Sequence, residues 1–245
     1  MQDASCQISD DHNCGQTKYL KSTSAPVVAQ ERKLQSKHSS LRNTAYAGLA
    51  MLVVFALLFS FSASFQYGAE QTRPVLAVVA LLILSSVLAF VGLGFALQVQ
   101  RTQHKSLLPI LIGLALSMRL VAIFTTPILE IDYYRYLWDG KVVCEGVSPY
   151  RFSPAAVLES AASLDKNLNQ LSALSTRSPS NHTILSRIHY ENFTTVYPPV
   201  SQFVFASTMG LTPESASVEA HVIAIKMAVT LFDLATMLLL SLIHI

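Results

Sequence analysis

Beyond residue 43 the chain is organised by long apolar runs rather than by alternation. Thr44 to about Tyr67 and Pro74 to about Gln98 are almost wholly apolar. At about 1.5 Å per residue each is long enough to cross a hydrocarbon core about 30 Å thick. A third run extends from about Leu107 to Leu129 with Arg119 near its middle, and a last one from about His221 to Leu240 carries Lys226 and Asp233. Between them, Pro199 to Leu211 is marginal in length. It crosses if tilted or if extended by Thr195-Val196-Tyr197, the alternative being a re-entrant segment, and a crossing is expected. The pattern therefore predicts an all-α integral membrane protein: three transmembrane helices over 44–129, a large loop over 130–198 and two further transmembrane helices over 199–239.

The intervening segments set orientation and detail. Residues Met1 to Asn43 are polar, without an apolar run, and read as a disordered tail rather than a signal peptide or packed domain. Arg32, Lys33, Lys37 and Arg42 precede the first run, and Arg101 and Lys105 separate the second from the third. Positive residues stay inside, which puts the tail in the cytoplasm and the 130–198 loop on the outer face, periplasmic or extracellular, of a membrane expected to be a bacterial inner membrane. Within the loop Val157, Ala161, Leu164, Leu168 and Leu171 recur at spacings of four and three after Ser153-Pro154, an N-cap pattern. One amphipathic helix of about five turns is expected there, followed by a polar loop from Ser175 to Asn181.

Composition agrees with a membrane protein: of 245 residues 51% are hydrophobic and 13% charged, and the mean hydropathy is +0.43. A net charge of +2 without a dense basic block argues against nucleic acid as a partner. Cys6, Cys14 and Cys144 form no paired framework, and Cys6, His12 and Cys14 fit no usual zinc spacing. His182 and His189 are equally unspecific, so no metal and no cofactor is expected. Asn181-His182-Thr183 and Asn192-Phe193-Thr194 fit the N-glycosylation pattern and are treated as incidental. Leu240 to Ile245 read as a non-native end derived from a sequencing adapter, with further C-terminal helices expected beyond it.

The densest chemistry lies just past the third run, in Glu130-Ile131-Asp132-Tyr133-Tyr134-Arg135-Tyr136-Leu137-Trp138-Asp139-Gly140. On a helix Asp132, Arg135, Tyr136 and Asp139 share one face, because they lie three, four and seven apart. On spacing alone they equally suit a capped helix with internal ion pairs. The block Asp132-x-x-Arg135-Tyr136-Leu137-Trp138-Asp139-Gly140, then Gly146-x-x-Pro149-Tyr150 and Tyr197-Pro198-Pro199, resembles the polyprenyl-phosphate-sugar-dependent mannosyltransferases of the GT-C superfamily. The resembling segment runs from about Arg119 to Phe205.

That resemblance implies a multi-pass helical bundle of GT-C type. It also implies an inverting enzyme that moves a hexose, mannose first, from a polyprenyl-phosphate sugar donor to a glycan, glycolipid or protein acceptor at the membrane. Asp132 aligns with the acid that opens the family's run and is the leading general base. Many relatives carry two consecutive acids here, where this chain has Ile131 before Asp132, so Glu130 and Asp139 stay open as alternatives. Arg135 is the first candidate for the donor phosphate, since a guanidinium forks onto phosphoryl oxygens; Lys141 and Arg151 follow. Arg119 either contacts donor or pairs with Asp233. Trp138, with Tyr133, Tyr134 and Tyr136, forms a sugar-stacking wall or an interfacial anchor. Gly140, Pro149, Tyr150, Tyr197, Pro198 and Pro199 are expected to shape the loop. A transporter or flippase is the alternative, resting on intramembrane Arg119, Lys226 and Asp233, and a noncatalytic scaffold is a third reading.

Overall fold

The computed structural model describes residues 39–68, 73–99, 104–128, 130–160 and 164–243. The tail through residue 38, with Cys6, His12 and Cys14, lies outside them, as do Leu129, Ala161 and His244. The described residues are helical, without strands. Four helices are long and apolar enough to cross a membrane: α1 (Ser39–Phe65), α2 (Val75–Leu97), α3 (His104–Phe124) and α9 (Val218–Ile243). Their outward residues are large and apolar, among them Leu76, Phe90, Leu120 and Leu242. Such a surface needs lipid around it, and the chain is a helical membrane protein.

The ends of these helices follow local hydrogen bonding. Helix α1 is already formed at Ser39, ahead of the apolar run, and there the Thr44 hydroxyl donates to the Ser40 carbonyl at 2.9 Å, so the polar turn is satisfied within the helix. Helix α3 stops at Phe124 rather than Leu129: the Thr125 hydroxyl donates to the Ala122 carbonyl at 2.7 Å, and Pro127 cannot continue the ladder.

The chain forms two compact units. The first comprises Met1–Val53 and Leu82–Ala115; inside it Gly48 faces the Leu114 side chain, and Gly92 lies near Ala47. The second comprises Val54–Leu81 and Leu116–Ile245. It contains a small cluster of Leu58, Phe65 and Val78 and the principal core, built by five shorter helices and α9: α4 (Tyr133–Cys144), α5 (Pro154–Glu159), α6 (Lys166–Arg177), α7 (Pro179–Ser186) and α8 (Pro199–Leu211). Leu137, Trp138, Leu171, Ile184, Leu185, Phe205 and Ile225 meet there. The expected loop is thus a packed helical layer.

Two expectations for that layer are corrected. A single amphipathic helix through Leu171 does not form: α5 ends at Glu159, and Asp165 starts α6 by accepting the Asn167 amide at 2.9 Å from an extended backbone. Leu164, counted on the apolar stripe, is fully exposed. The expected N-cap does hold, with Ser153 accepting from the Ala156 amide at 3.2 Å. The expected polar loop from Ser175 to Asn181 is almost entirely helical: Ser178 alone is extended, capping α7 through the Asn181 amide at 3.1 Å with Pro179 at the first position. Helix α8 has 13 residues, about 20 Å of rise. Pro198 is extended at its N-cap, so Thr195-Val196-Tyr197 does not lengthen it.

Helix α4 packs against α8 more closely than against any other element. The reason is Gly140, where a Cβ would sit 2.6 Å from the Phe205 carbonyl oxygen and 2.7 Å from Met209 Cγ. Only a residue without a side chain lets the two backbones meet. At its C-terminus α4 ends in a Schellman motif: Gly146 has φ +75°, its amide donates to the Val143 carbonyl at 2.9 Å, and the Val147 amide donates to Val142 at 3.2 Å. Beyond it Glu145 accepts from Arg177 at 2.7 Å and Gln170 at 3.0 Å, tying α6 to the end of α4.

Gly140→Ala is expected to lower the stability of this layer by about 1–3 kcal/mol through overpacking, and Gly146→Ala by about 1 kcal/mol through a left-handed backbone. Thermal unfolding followed by the fluorescence of Trp138, the single tryptophan, measures both. Equal stability of Gly140→Ala and the parent would contradict the close approach.

Candidate functional site

The first turn of α4, the turn between α4 and α5, and the chain entering α8 converge on one point. Asp132, at the N-cap of α4, makes no capping hydrogen bond with its side chain; it accepts instead from the Tyr197 hydroxyl at 2.7 Å. The Tyr197 carbonyl in turn accepts from the Tyr150 hydroxyl at 2.6 Å. Tyr136 closes the group, its hydroxyl 3.4 Å from that of Tyr197 and its ring stacked on Phe205 at 4.9 Å. Pro198 is extended at the N-cap and Pro199 opens α8, which fixes the chain just after Tyr197. Burial, then the hydrogen bonds with Tyr136 and Asp132, push the Tyr197 hydroxyl well above the usual phenol range. It stays protonated as the donor. Asp132 itself is half-buried, and its second oxygen has no hydrogen-bond partner among the described residues.

Arg135 and Asp139 lie one and two turns further along α4, both buried. The Arg135 guanidinium donates to the Tyr190 carbonyl at 3.0 Å. Tyr190 has φ 55°, a conformation rare for a residue with a side chain, and Arg135 fixes that turn from beneath. Burial lowers its affinity for the proton, opposed by the charges of Asp139 and Asp132, although it makes no ion pair with either among the described residues. Asp139 accepts from Gln202 at 3.1 Å, and Gln202 also donates to the nearby Thr195 hydroxyl at 3.0 Å. Burial pushes the Asp139 carboxyl up, against the neighbouring Thr195 and Gln202 side chains and the Arg135 charge. Asp139 ties α4 to the start of α8 and sits inside the protein.

Other expected site residues stand elsewhere. Glu130 folds its carboxylate onto the Ile131 and Asp132 amides, both at 2.9 Å, and so shapes the turn before α4. Lys141 is nine residues from Asp132, half a turn out of phase at about 100° per residue. It is buried against His221, Nζ to Nε2 3.0 Å, with the His221 Nδ1 2.9 Å from the Ser217 carbonyl. It does not join Arg135 in one phosphate site, and burial lowers its basicity. Trp138 is neither a sugar wall nor an interfacial anchor: only 3% exposed, it belongs to the core, because the α4 face that carries it is covered by its neighbouring helices. Tyr133 and Tyr134 are likewise buried. Arg119 pairs with Asp233, Nε to Oδ2 2.6 Å, and Arg151 with Asp165 at 2.7 Å. Pro149 belongs to the turn that carries Tyr150.

Thr195, Gln202 and Tyr190 are functional-site neighbours that the sequence reading missed. Gln202 had a signal: it is a lone amide inside the apolar run of α8. Among the described residues no group of three or more His, Cys, Asp or Glu is placed to hold a metal. Comparison with family models, with curated proteins and with solved structures gives no match.

Two carboxylates give opposite pH dependences of stability. The Asp139 carboxyl is raised from 3.8, so its contribution is full below about 3.8 and is lost as pH rises through the folded value. The Glu145 carboxyl is lowered from 4.5, first by Arg177, so its contribution is present above about 4.5 and is lost as pH falls through the folded value. In melts across this range Asp139→Asn is expected to remove a loss of stability on the alkaline side, and Glu145→Gln a loss on the acid side. Identical pH slopes in both variants and the parent would contradict the assigned environments.

Proposed function

We propose that the protein is a membrane glycosyltransferase of GT-C type that moves a hexose, mannose first, from a polyprenyl-phosphate donor to a glycan, glycolipid or protein acceptor on the outer membrane face. One observation supports the reading above the others. The three sequence blocks that carry the resemblance, separated by up to 65 residues, meet through the Tyr150–Tyr197 and Tyr197–Asp132 hydrogen bonds.

In this reading Asp132 takes the proton from the acceptor hydroxyl as that oxygen attacks the anomeric carbon, and the bond from that carbon to the lipid phosphate breaks with inversion. Tyr197 holds the carboxylate in place through one oxygen and leaves the other for the acceptor. Arg135 supplies a fixed positive charge beneath the site. Asp139 is a positioning residue, because it is buried and already accepts from Gln202. The transport alternative draws on charges that are engaged in the fold: Arg119 with Asp233, and Lys226 with the Thr125 carbonyl and, at 3.1 Å, its hydroxyl.

Membranes carrying the protein, incubated with radiolabelled polyprenyl-phosphate mannose and a glycolipid extract, test the proposal by transfer of label. Asp132→Asn is expected to lower transfer by about 100-fold or more with membrane insertion unchanged, and Asp139→Asn to lower it less. Full activity in Asp132→Asn would remove the base assignment. A larger loss in Asp139→Asn would transfer the role to that residue.

A further inference from the structure

A second charged site lies apart from Asp132, where Arg187 after α7 faces Tyr67 after α1. Its guanidinium lies 5.1 Å from the centre of the Tyr67 ring and 5.8 Å from that of Tyr134, and donates to the Tyr134 hydroxyl at 3.0 Å. These groups line a polar cavity of about 250 Å³ together with Gln66, Thr126 and Glu219. Arg187 and Glu219 form no ion pair with each other or with another described residue. One cavity therefore presents a separated cation and anion.

Pro127, Tyr133 and Val222 form a wall shared with a second cavity of about 300 Å³. This one is apolar and runs along the spanning helices α3 and α9 past Ile123, Ile225 and Val229. The two charges at its edge are occupied: Lys226 donates to the Thr125 carbonyl, and Glu130 accepts from backbone amides. A polar chamber bearing one positive and one negative group, adjoining an apolar groove between membrane helices, matches an amphiphile with a dipolar head.

We propose that the Arg187–Glu219 cavity and the adjoining groove bind a zwitterionic phospholipid with an amine headgroup, its phosphate at Arg187, its ammonium at Glu219 and an acyl chain along α3 and α9. Guanidinium matches the phosphodiester by charge and by its planar fork of donors. Glu219 disfavours a head with net negative charge and accepts from the ammonium, while the rings of Tyr67 and Tyr134 keep the guanidinium oriented. The groove is also lined by Tyr136 and Phe205, beside the Asp132 site, and its occupancy is read by lipid binding rather than by sugar transfer.

The full chain in neutral detergent, titrated with phosphatidylethanolamine, phosphatidylglycerol or diacylglycerol of identical chains, tests the proposal with bound lipid counted by native mass spectrometry. Phosphatidylethanolamine is expected to bind tightest and diacylglycerol weakest. Arg187→Gln is expected to weaken phosphatidylethanolamine by about tenfold, and Arg151→Gln to leave it unchanged. Glu219→Gln, at an exposed position, is expected to abolish the preference for phosphatidylethanolamine over phosphatidylglycerol. Val229→Trp, which fills the groove from an exposed position, is expected to weaken both phospholipids. Unchanged preference in Glu219→Gln, or unchanged phospholipid binding in Val229→Trp, overturns the proposal even if Arg187→Gln fails to fold. Displacement of the lipid by free phosphoethanolamine at equal concentration overturns it in favour of a soluble ligand.

Discussion

The second unit depends on how closely α4 can approach α8. Backbone contact at Gly140 brings the two helices to a separation that no other residue type permits there, and much else follows from that distance. Trp138 and Leu137 enter the core beside it. Asp139 reaches Gln202, and Tyr136 stacks on Phe205. Tyr197, held just ahead of α8 by two prolines, arrives beside Asp132. Burial of Trp138 and its apolar neighbours supplies the larger share of the energy, about 1.5–3 kcal/mol for each large side chain, whereas each neutral hydrogen bond adds about 1 kcal/mol net. The polar contacts therefore specify register, and the apolar contacts hold it.

Buried polarity in this layer is arranged along α4 by phase. Asp132, Arg135 and Asp139 lie on or near one side, with Tyr190, Tyr197 and Gln202 as their partners. Lys141 lies opposite, against His221 at the start of α9. At that phase Lys141 faces away from both acids, and Arg135, on their side, is engaged with the Tyr190 carbonyl. Lys141 also anchors the layer to a membrane-spanning helix at a point away from the candidate site.

The spanning helices were legible in the sequence because apolar runs of that length have few other uses in a folded chain. The Arg119–Asp233 pair was also legible, as isolated charges within such runs need partners. The layer was less so. Its stripe from Val157 to Leu171 fits one helix as well as two, and only the Asp165 cap, worth about 1 kcal/mol, decides between them. Trp138 looked like a ligand contact because the residues that cover it come from distant parts of the chain. Lys141 was misgrouped although its phase on α4 was readable from spacing. Gly140 looked like a loop-shaping residue, and its role as a helix contact becomes visible only when Phe205 is placed opposite.

The α4–α8 contact can be measured with a native thiol. Cys144 on α4 donates to the Ala206 carbonyl of α8 at 3.3 Å, and a Cβ at Gly210 would lie 3.7 Å from its sulfur. In a chain with Cys6 and Cys14 replaced by Ser, Gly210→Cys therefore brings a second thiol within reach of Cys144. Mild oxidation in membranes, followed by maleimide labelling under denaturing conditions, is expected to show both thiols protected by an intramolecular bond and recovered after reduction. Two thiols that remain fully reactive after oxidation would contradict the docking of α4 on α8, and with it the assembly of the Asp132–Tyr197 site.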